Sequence, residues 1–468
     1  MDHKFSHHPY IPNSDEAIKR EMCDFVGISS VEELHCDVPD ELRLHRSLDM
    51  PKAIRSEYEL YRTVSGMLGK NETCEENINF LGSGCYQHYV PAICDEINSR
   101  AEILSAYAGE PYEDHGRFQL LFEYQSLMAE LLDMEVVNVP AIDGAQAAAT
   151  AIRMAERATG RKKTVVCENI LPDKLAVIRN YCTPAMEIVV LPFERESGQF
   201  DLDSLKKLLG EDVAALYFET PSFLGTVAGN AREAAELCHA CGALCIIGTD
   251  PAVLGVLEAP VNLGADIVCG DVQPLGMHMN YGGGQGGFIA TMDDERLVRE
   301  YPSRLFGITR TEVEGEYGFG DVYYDRTSFA DREHGKEYVG TQAALWGITA
   351  GVYLSLMGPQ GMQELGETML YNARYAAKKL SCIGGVSVKY LDQCFVSEFV
   401  VDFSKTGKSV GEINDQLLSR HIFGGRDLGG LFPGMEGCAL FCVTEVHTKD
   451  DIDALAGALC EILGKEGK

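Results

Sequence analysis

Lysine is missing from the middle of this chain, with none between Lys207 and Lys336. The gap excludes, for that whole stretch, any chemistry that depends on a lysine amine as the nucleophile toward a carbonyl. Basic residues are scarce throughout: 40 Lys and Arg stand against 71 Asp and Glu, a formal net charge of −31 over 468 residues. The acidic charge is spread along the chain rather than gathered in a tail, so nucleic acid and anionic membrane surfaces are excluded as partners. Long hydrophobic runs are absent too. No stretch reaches the ~18 to 20 consecutive apolar residues of a membrane span, and the start, Met1-Asp-His-Lys-Phe-Ser-His-His8, has no apolar core of the signal-peptide kind. The sixteen cysteines lie mostly inside apolar segments, as Cys167, Cys245, Cys269 and Cys442 do. That placement predicts a reducing, cytoplasmic setting rather than a disulfide framework.

What is present divides into three parts. Residues 1–76 read as an N-terminal helical arm. Asn13 or Ser14 is positioned to cap a helix whose apolar face is Ile18, Met22 and Phe25 and whose stop is Gly27. Ser30 with Glu33, and Ser56 with Glu59, have capping-box spacing and predict two further helices, separated by Pro39 and Pro51. Residues 77–337 alternate apolar strands with helices, the pattern of a large α/β domain with a mainly parallel, doubly wound sheet. Residues 338–468 begin with a long helix, continue with strands near Val386–Tyr390 and Glu398–Phe403, and end in a helix capped by Thr448, a smaller α+β domain.

The lysine gap covers the part of the α/β domain that carries the strongest strand signal. Ala214-Ala-Leu-Tyr-Phe-Glu-Thr-Pro221 and Ala243-Leu-Cys-Ile-Ile-Gly-Thr-Asp250 flank a helical run, and Ala265-Asp-Ile-Val-Cys-Gly-Asp271 follows. Apolar runs of this length, joined by a helix, read as parallel strands buried on both faces. Next come Gln273-Pro274 and the glycine cluster Gly282–Gly287. This order is similar to the fold type I architecture of pyridoxal phosphate-dependent aminotransferases. There an Asp at a strand end, here Asp250, supports the pyridine nitrogen, and a His-Lys pair precedes a glycine-rich turn. Gln273 and Pro274 occupy the place of that pair, so the covalent link to the cofactor has no amine to form on.

Several local motifs admit two readings. Asp143-Gly144-Ala145-Gln146 opens a helical run, and its backbone amides suit either a phosphate at a helix amino terminus or an ordinary strand-to-helix turn. Cys238-x-x-Cys241-x-x-x-Cys245 has the look of a metal ligand set, but two members sit on a helix, the third lies in the next strand, and no fourth ligand is near; structural cysteine is expected and no metal. The glycine cluster has neither the P-loop pattern nor the strand-turn-helix setting of a dinucleotide fingerprint. Phe80–Pro91 and Ser105–Gly116 concentrate aromatic and ionisable groups beside glycines, a makeup that suits binding loops and equally suits tyrosines packing by their rings.

Four blocks together carry a more specific likeness: Phe80-Leu-Gly-Ser-Gly-Cys-Tyr-Gln-His-Tyr-Val-Pro91; Phe122-Glu-Tyr-Gln125 through Asp143-Gly-Ala145; Gly270-Asp-Val-Gln-Pro-Leu-Gly276; and Cys442-Val-Thr-Glu-Val-His-Thr448. In order and across nearly the whole chain, from Tyr10-Ile-Pro-Asn13 to the last helix, they resemble the amino-terminal-half subunits of split glycine dehydrogenase (decarboxylating), the P-protein of the glycine cleavage system. The resemblance implies a subunit that carries no cofactor itself and pairs with a homologous, lysine-bearing subunit 2 that holds pyridoxal phosphate. It also implies an α2β2 heterotetramer that decarboxylates glycine and passes the aminomethyl group to the lipoyl arm of H-protein.

The matching segments further imply His88, His115 and Glu113 as supporting catalytic groups, and Tyr86, Tyr89, Tyr107 and Tyr112 as walls of a pocket shared with the partner. Asp143, Gly144, Asp250, Gln273 and Pro274 would mark a degenerate cofactor site. The chain departs from the family pattern at Tyr107–Gly116, at Lys336–Thr341, and at Ile142, where a tyrosine is usual. These departures fall near the expected substrate, and they keep open a divergent paralogue for another small amino acid with its own partner, or a non-catalytic scaffold.

Overall fold

The computed structural model describes residues 10–104, 115–337 and 343–464. They belong to two compact units, Met1–Glu72 and Thr73–Lys468.

The first unit is helical. Its first α-helix, Glu16–Val26, is capped by Asp15, whose carboxylate accepts from Ala17 N and Ile18 N, and it ends on Gly27 in the left-handed region. The cap is therefore Asp15 rather than Asn13 or Ser14, because only the residue next to the first turn can reach its free amides. Ser30 makes no side-chain cap, and Val31–His35 is a short 3-10 helix. Glu33 is instead turned back to Ser29 N, at 3.1 Å. Ser56 does cap the second α-helix, Glu57–Leu68. None of these helices buries a residue, and Ile18, Met22 and Phe25 are all exposed.

The second unit is built on a seven-stranded sheet whose strands are β1 (Val136–Val137), β2 (Lys163–Cys167), β3 (Glu187–Leu191), β4 (Val213–Glu219), β5 (Leu244–Thr249), β6 (Ile267–Asp271) and β7 (Gly287–Thr291), in the order β1-β7-β6-β5-β4-β2-β3. The pairs β2–β3, β2–β4, β4–β5 and β5–β6 are parallel, while β7 runs antiparallel to both β6 and β1. Parallel strands covered on both faces must be apolar along their whole length. Accordingly Val213–Phe218 and Cys245–Thr249 are buried without interruption. The helix Gly144–Thr159 covers one face with Ala147, Ala151 and Ala155, small side chains that let its backbone approach the strands.

A four-stranded antiparallel sheet, Ser387–Val388, Glu398–Asp402, Cys438–Cys442 and Arg426–Asp427 in that order, lies toward the carboxyl end. It packs on the helix Ala344–Ser381 and on Lys449–Leu463, which a Thr448/Asp451 capping box starts. The long helix is interrupted at Gly358-Pro359, where Gly358 takes φ 60 and ψ −178 and proline removes a ladder donor. None of the sixteen cysteines is in a disulfide. Cys238 and Cys245 are buried, and among the described residues no group of His, Cys, Asp and Glu has the arrangement of a metal site. Among those residues no helix is long and apolar enough to cross a membrane.

The loop after β4 meets the second sheet at a tight point. Gly225 has φ +83, and a Cβ there would fall 2.0 Å from the Glu398 carbonyl oxygen. Gly225→Ala therefore combines a left-handed backbone with a clash against backbone, and a loss of roughly 2 kcal/mol or more is expected. Urea unfolding of the full chain measures it; a midpoint equal to wild type would show that this loop is not packed against Glu398 as described.

Candidate functional site

Parallel strands in an open α/β sheet present their carboxyl ends to ligands. Here the ends of β4, β5 and β6 open on a cavity of about 270 Å³. Its floor is Gly270 and Asp271. Asp143–Ala145 supply one wall, Asp250 and Pro274 another, and Tyr86 and Glu398 close it from the side of the second sheet. Of the residues expected to mark a degenerate cofactor site, Asp143, Gly144, Asp250 and Pro274 line this cavity. Gln273 does not; it lies buried beneath the loop that carries Tyr86. Its Oε1 accepts from Tyr86 N at 2.9 Å, and its Nε2 donates to Tyr86 O at 2.8 Å and to Met277 O at 3.2 Å. An amide can give and take at once, and here it does both.

The helix terminus at Gly144 resolves the two readings of Asp143–Gln146. Asp143 is the N-cap, and its carboxylate accepts from Gln146 N at 2.7 Å. The Gly144 amide donates to Asp271 Oδ2 at 2.8 Å. The other oxygen, Oδ1, accepts from Gln273 N at 2.9 Å and Gly286 N at 3.1 Å. Two of the helix-start amides that would receive a phosphate, those of Gly144 and Gln146, are thus satisfied from within the chain. Burial pushes the Asp271 carboxyl up to about 6 despite these three donors.

Charge in the cavity is one-sided. Asp143, Asp173, Glu219, Asp250, Asp271 and Glu398 face it, and the one lysine among the lining residues is Lys174. Lys174 comes from the helix Pro172–Cys182 and is tied to Glu219, which also accepts from Tyr217 OH at 2.8 Å. Burial lowers the Lys174 pKa, but the Glu219 charge and hydrogen bond outweigh it and the net direction is up. It stays a cation committed to a carboxylate rather than a free nucleophile. Burial likewise raises Asp250, whose carboxylate caps a short 3-10 turn through Ala252 N.

Tyr86 and His88 are both drawn inward. The Tyr86 hydroxyl donates to Glu398 Oε2 at 3.2 Å, and Glu398 Oε1 accepts from Ser83 N at 2.7 Å. Burial is the main reason the Glu398 carboxyl rises to about 7. His88 is held by Glu445, with 2.8 Å from Nδ1 to Oε2, while the other Glu445 oxygen accepts from Tyr89 N at 2.7 Å. Burial pulls the imidazole down, but Glu445 and Asp250 outweigh it and His88 titrates above its usual range. Its Nε2 is buried with no partner. Tyr89, two-thirds exposed, faces outward. Tyr107, Tyr112 and Glu113 lie outside the described residues, as does the side chain of His115, the first residue of the helix His115–Leu132. Sequence reading missed Asp271, Lys174, Glu219, Glu398 and Glu445. Two carried a signal, since Glu398 and Glu445 stand beside apolar residues in segments otherwise readable as buried.

The pyridoxal phosphate of the fold type I enzymes does not fit the residues present here. Its lysine position is proline, its anion seat is filled by Asp271, and the charged lining residues other than Lys174 are acidic.

Comparison with known proteins places the chain among glycine cleavage P-proteins. Residues 8–459 match the family model described as glycine cleavage system P-protein. The chain is 36% identical over 467 residues to the probable glycine dehydrogenase (decarboxylating) subunit 1 of Staphylothermus marinus, covering 98% of this chain and 99% of that one. It is 38% identical over 458 residues to the protein of the same description from Pyrococcus horikoshii, covering 97% and 99%. Among solved structures it resembles a glycine decarboxylase (P-protein) of the glycine cleavage system in inhibitor-bound form, with TM-score 0.83, 32% identity, and 97% and 99% of the two chains covered. A sphingosine-1-phosphate lyase of Burkholderia pseudomallei shares the fold alone, at TM-score 0.66 and 13% identity over 91% and 95% of the chains.

A pH dependence follows from the two buried carboxyls. Their folded pKa values, about 7 for Glu398 and about 6 for Asp271, lie above the ordinary carboxylate range. The stability they contribute is complete in acid and is lost as pH rises through those values. Glu398→Gln should therefore gain stability relative to wild type between pH 5 and pH 8, by up to ~3 kcal/mol. Denaturant midpoints of the two proteins across that range test it; parallel curves would contradict the burial argument.

Proposed function

The chain belongs to the glycine cleavage system P-protein family, and from that premise we propose that it is the subunit of a heteromeric glycine decarboxylase that carries no cofactor. A homologous, lysine-bearing subunit 2 supplies the pyridoxal phosphate, in an α2β2 assembly. The pair decarboxylates glycine and hands the aminomethyl group to the lipoyl arm of H-protein. The single observation that carries this division of labour is Pro274 beside a cavity whose anion seat Asp271 fills. A chain built this way needs a second site to act on glycine. The exposed Ile18, Met22 and Phe25 of the first unit offer apolar surface for a partner to cover, and the unpaired cysteines suit a cytoplasmic setting.

Within the shared site this chain's part is positioning and proton handling. His88 is the group best placed for it. Glu445 fixes the ring and keeps a proton on Nδ1, leaving Nε2 as the atom that gives or takes a proton. Tyr89, anchored by its backbone to the same Glu445, presents its ring outward to the partner face. Tyr86 closes the chain's own cavity and steadies the loop through Gln273. Tyr107, Tyr112, Glu113 and His115 keep the supporting roles that the resemblance implies.

The reading is tested by co-purifying the chain with its lysine-bearing neighbour and measuring exchange of the glycine carboxyl carbon with bicarbonate in the presence of H-protein. Exchange is expected from the pair and not from either chain alone. His88→Asn should lower the rate by about 100-fold or more while leaving assembly intact. Full exchange from the variant pair would remove His88 from the mechanism. No exchange from a wild-type pair whose partner holds its cofactor would point to another amino acid as substrate.

A further inference from the structure

A helix amino terminus facing a glycine-rich turn is a ready receptor for an anion, because unpaired amides and the helix dipole point the same way. In this chain the helix Gly144–Thr159 and the turn at Gly286 form such a receptor around the end of β6. The Asp271 carboxylate fills it, accepting from Gly144 N at 2.8 Å, Gln273 N at 2.9 Å and Gly286 N at 3.1 Å. The packing leaves no space for a second anion between the two. A Cβ added at Gly144 would already stand 3.2 Å from the Asp271 Cβ. Nor do the surroundings compensate, since Glu219, Asp250 and Glu398 share the cavity and Lys174 is committed to Glu219.

We infer that Asp271 is the specificity-determining residue of this pocket: its carboxylate is a resident anion that takes the seat of a cofactor phosphate and keeps phosphate monoesters out of this chain. The inference rests on the reading that the cofactor belongs to the partner, and it adds the cause. Loss of the lysine alone would leave a pocket still able to hold the cofactor without a covalent bond. A fixed carboxylate excludes it twice, by occupying the amides and by repelling a group that carries −1.5 to −2 charges near neutral pH. The same carboxylate ties the helix start to the glycine turn and the strand end, the tie that a bound phosphate would otherwise supply. Both subunits can then keep one fold while a single pocket of each pair is loaded. Raised by burial, the carboxyl is an anion that the site holds at some cost.

Two full-length variants test this. Asp271→Ser clears the seat and leaves a hydroxyl; Asp271→Asn keeps the size and removes the charge. The probes are inorganic phosphate, read by the shift in melting temperature, and pyridoxal phosphate, read by equilibrium dialysis. Wild type should show no phosphate-dependent shift and retain no pyridoxal phosphate. Asp271→Ser should melt below wild type without phosphate, recover with it, and bind both probes about tenfold or more tightly than wild type, the modest end of what removing a like charge at contact distance gives. Asp271→Asn should fall between the two. Folded variants, judged by circular dichroism, that bind phosphate no better than wild type would overturn the inference while leaving the proposed function standing. If Asp271→Ser does not fold, Asp271→Asn decides alone. Wild type that retains pyridoxal phosphate would overturn the proposed function itself.

Discussion

Three backbone amides converge on the Asp271 carboxylate, and the layout of the cavity follows from that contact. It joins the start of the helix Gly144–Thr159, the end of β6 and the turn before β7, which are the three elements that frame the carboxyl edge of the sheet. With the anion seat filled from inside, the proline at 274 and the amide at Gln273 cease to be isolated losses. Gln273 uses its mixed donor and acceptor character to hold the loop of Tyr86, and that loop in turn brings Tyr86 onto Glu398 and His88 onto Glu445.

The result is a site with two faces of different chemistry. The inward face is acidic, buried and closed to phosphate. The segment that leads outward carries Tyr89 at the surface with the hydrogen-bonded His88–Glu445 pair behind it. That pair is the kind of oriented proton donor a neighbouring subunit's chemistry can use, since one imidazole nitrogen is fixed and the other is left without a partner. Acidic walls that would repel a phosphate in this chain cost nothing to a cofactor held elsewhere.

Much of the sheet was legible because parallel strands buried on both faces must be continuously apolar, and residues 213–218, 244–247 and 267–269 are. The lysine gap was legible for the same reason, since it lies across those strands. The arm was read less well, because capping depends on which side chain reaches the first turn, and Asp15 reaches where Asn13 and Ser14 do not. The charged side chains that define the cavity were mostly hidden. Asp271, Lys174, Glu219 and Glu398 are far apart in sequence and gain their meaning from a convergence that only the folded sheet supplies. Asp271 was visible as the last residue of a strand, but its partners sit on three separate segments.

The most direct test of the division of labour is where the cofactor is attached in the assembled enzyme. Borohydride reduction of the co-purified pair, followed by peptide mapping, fixes any cofactor–lysine bond permanently. The expected result is one modified lysine on the partner subunit and none on this chain. A reduced cofactor on Lys174, the one lysine among the cavity's lining residues, or on any other lysine of this chain, would contradict the account.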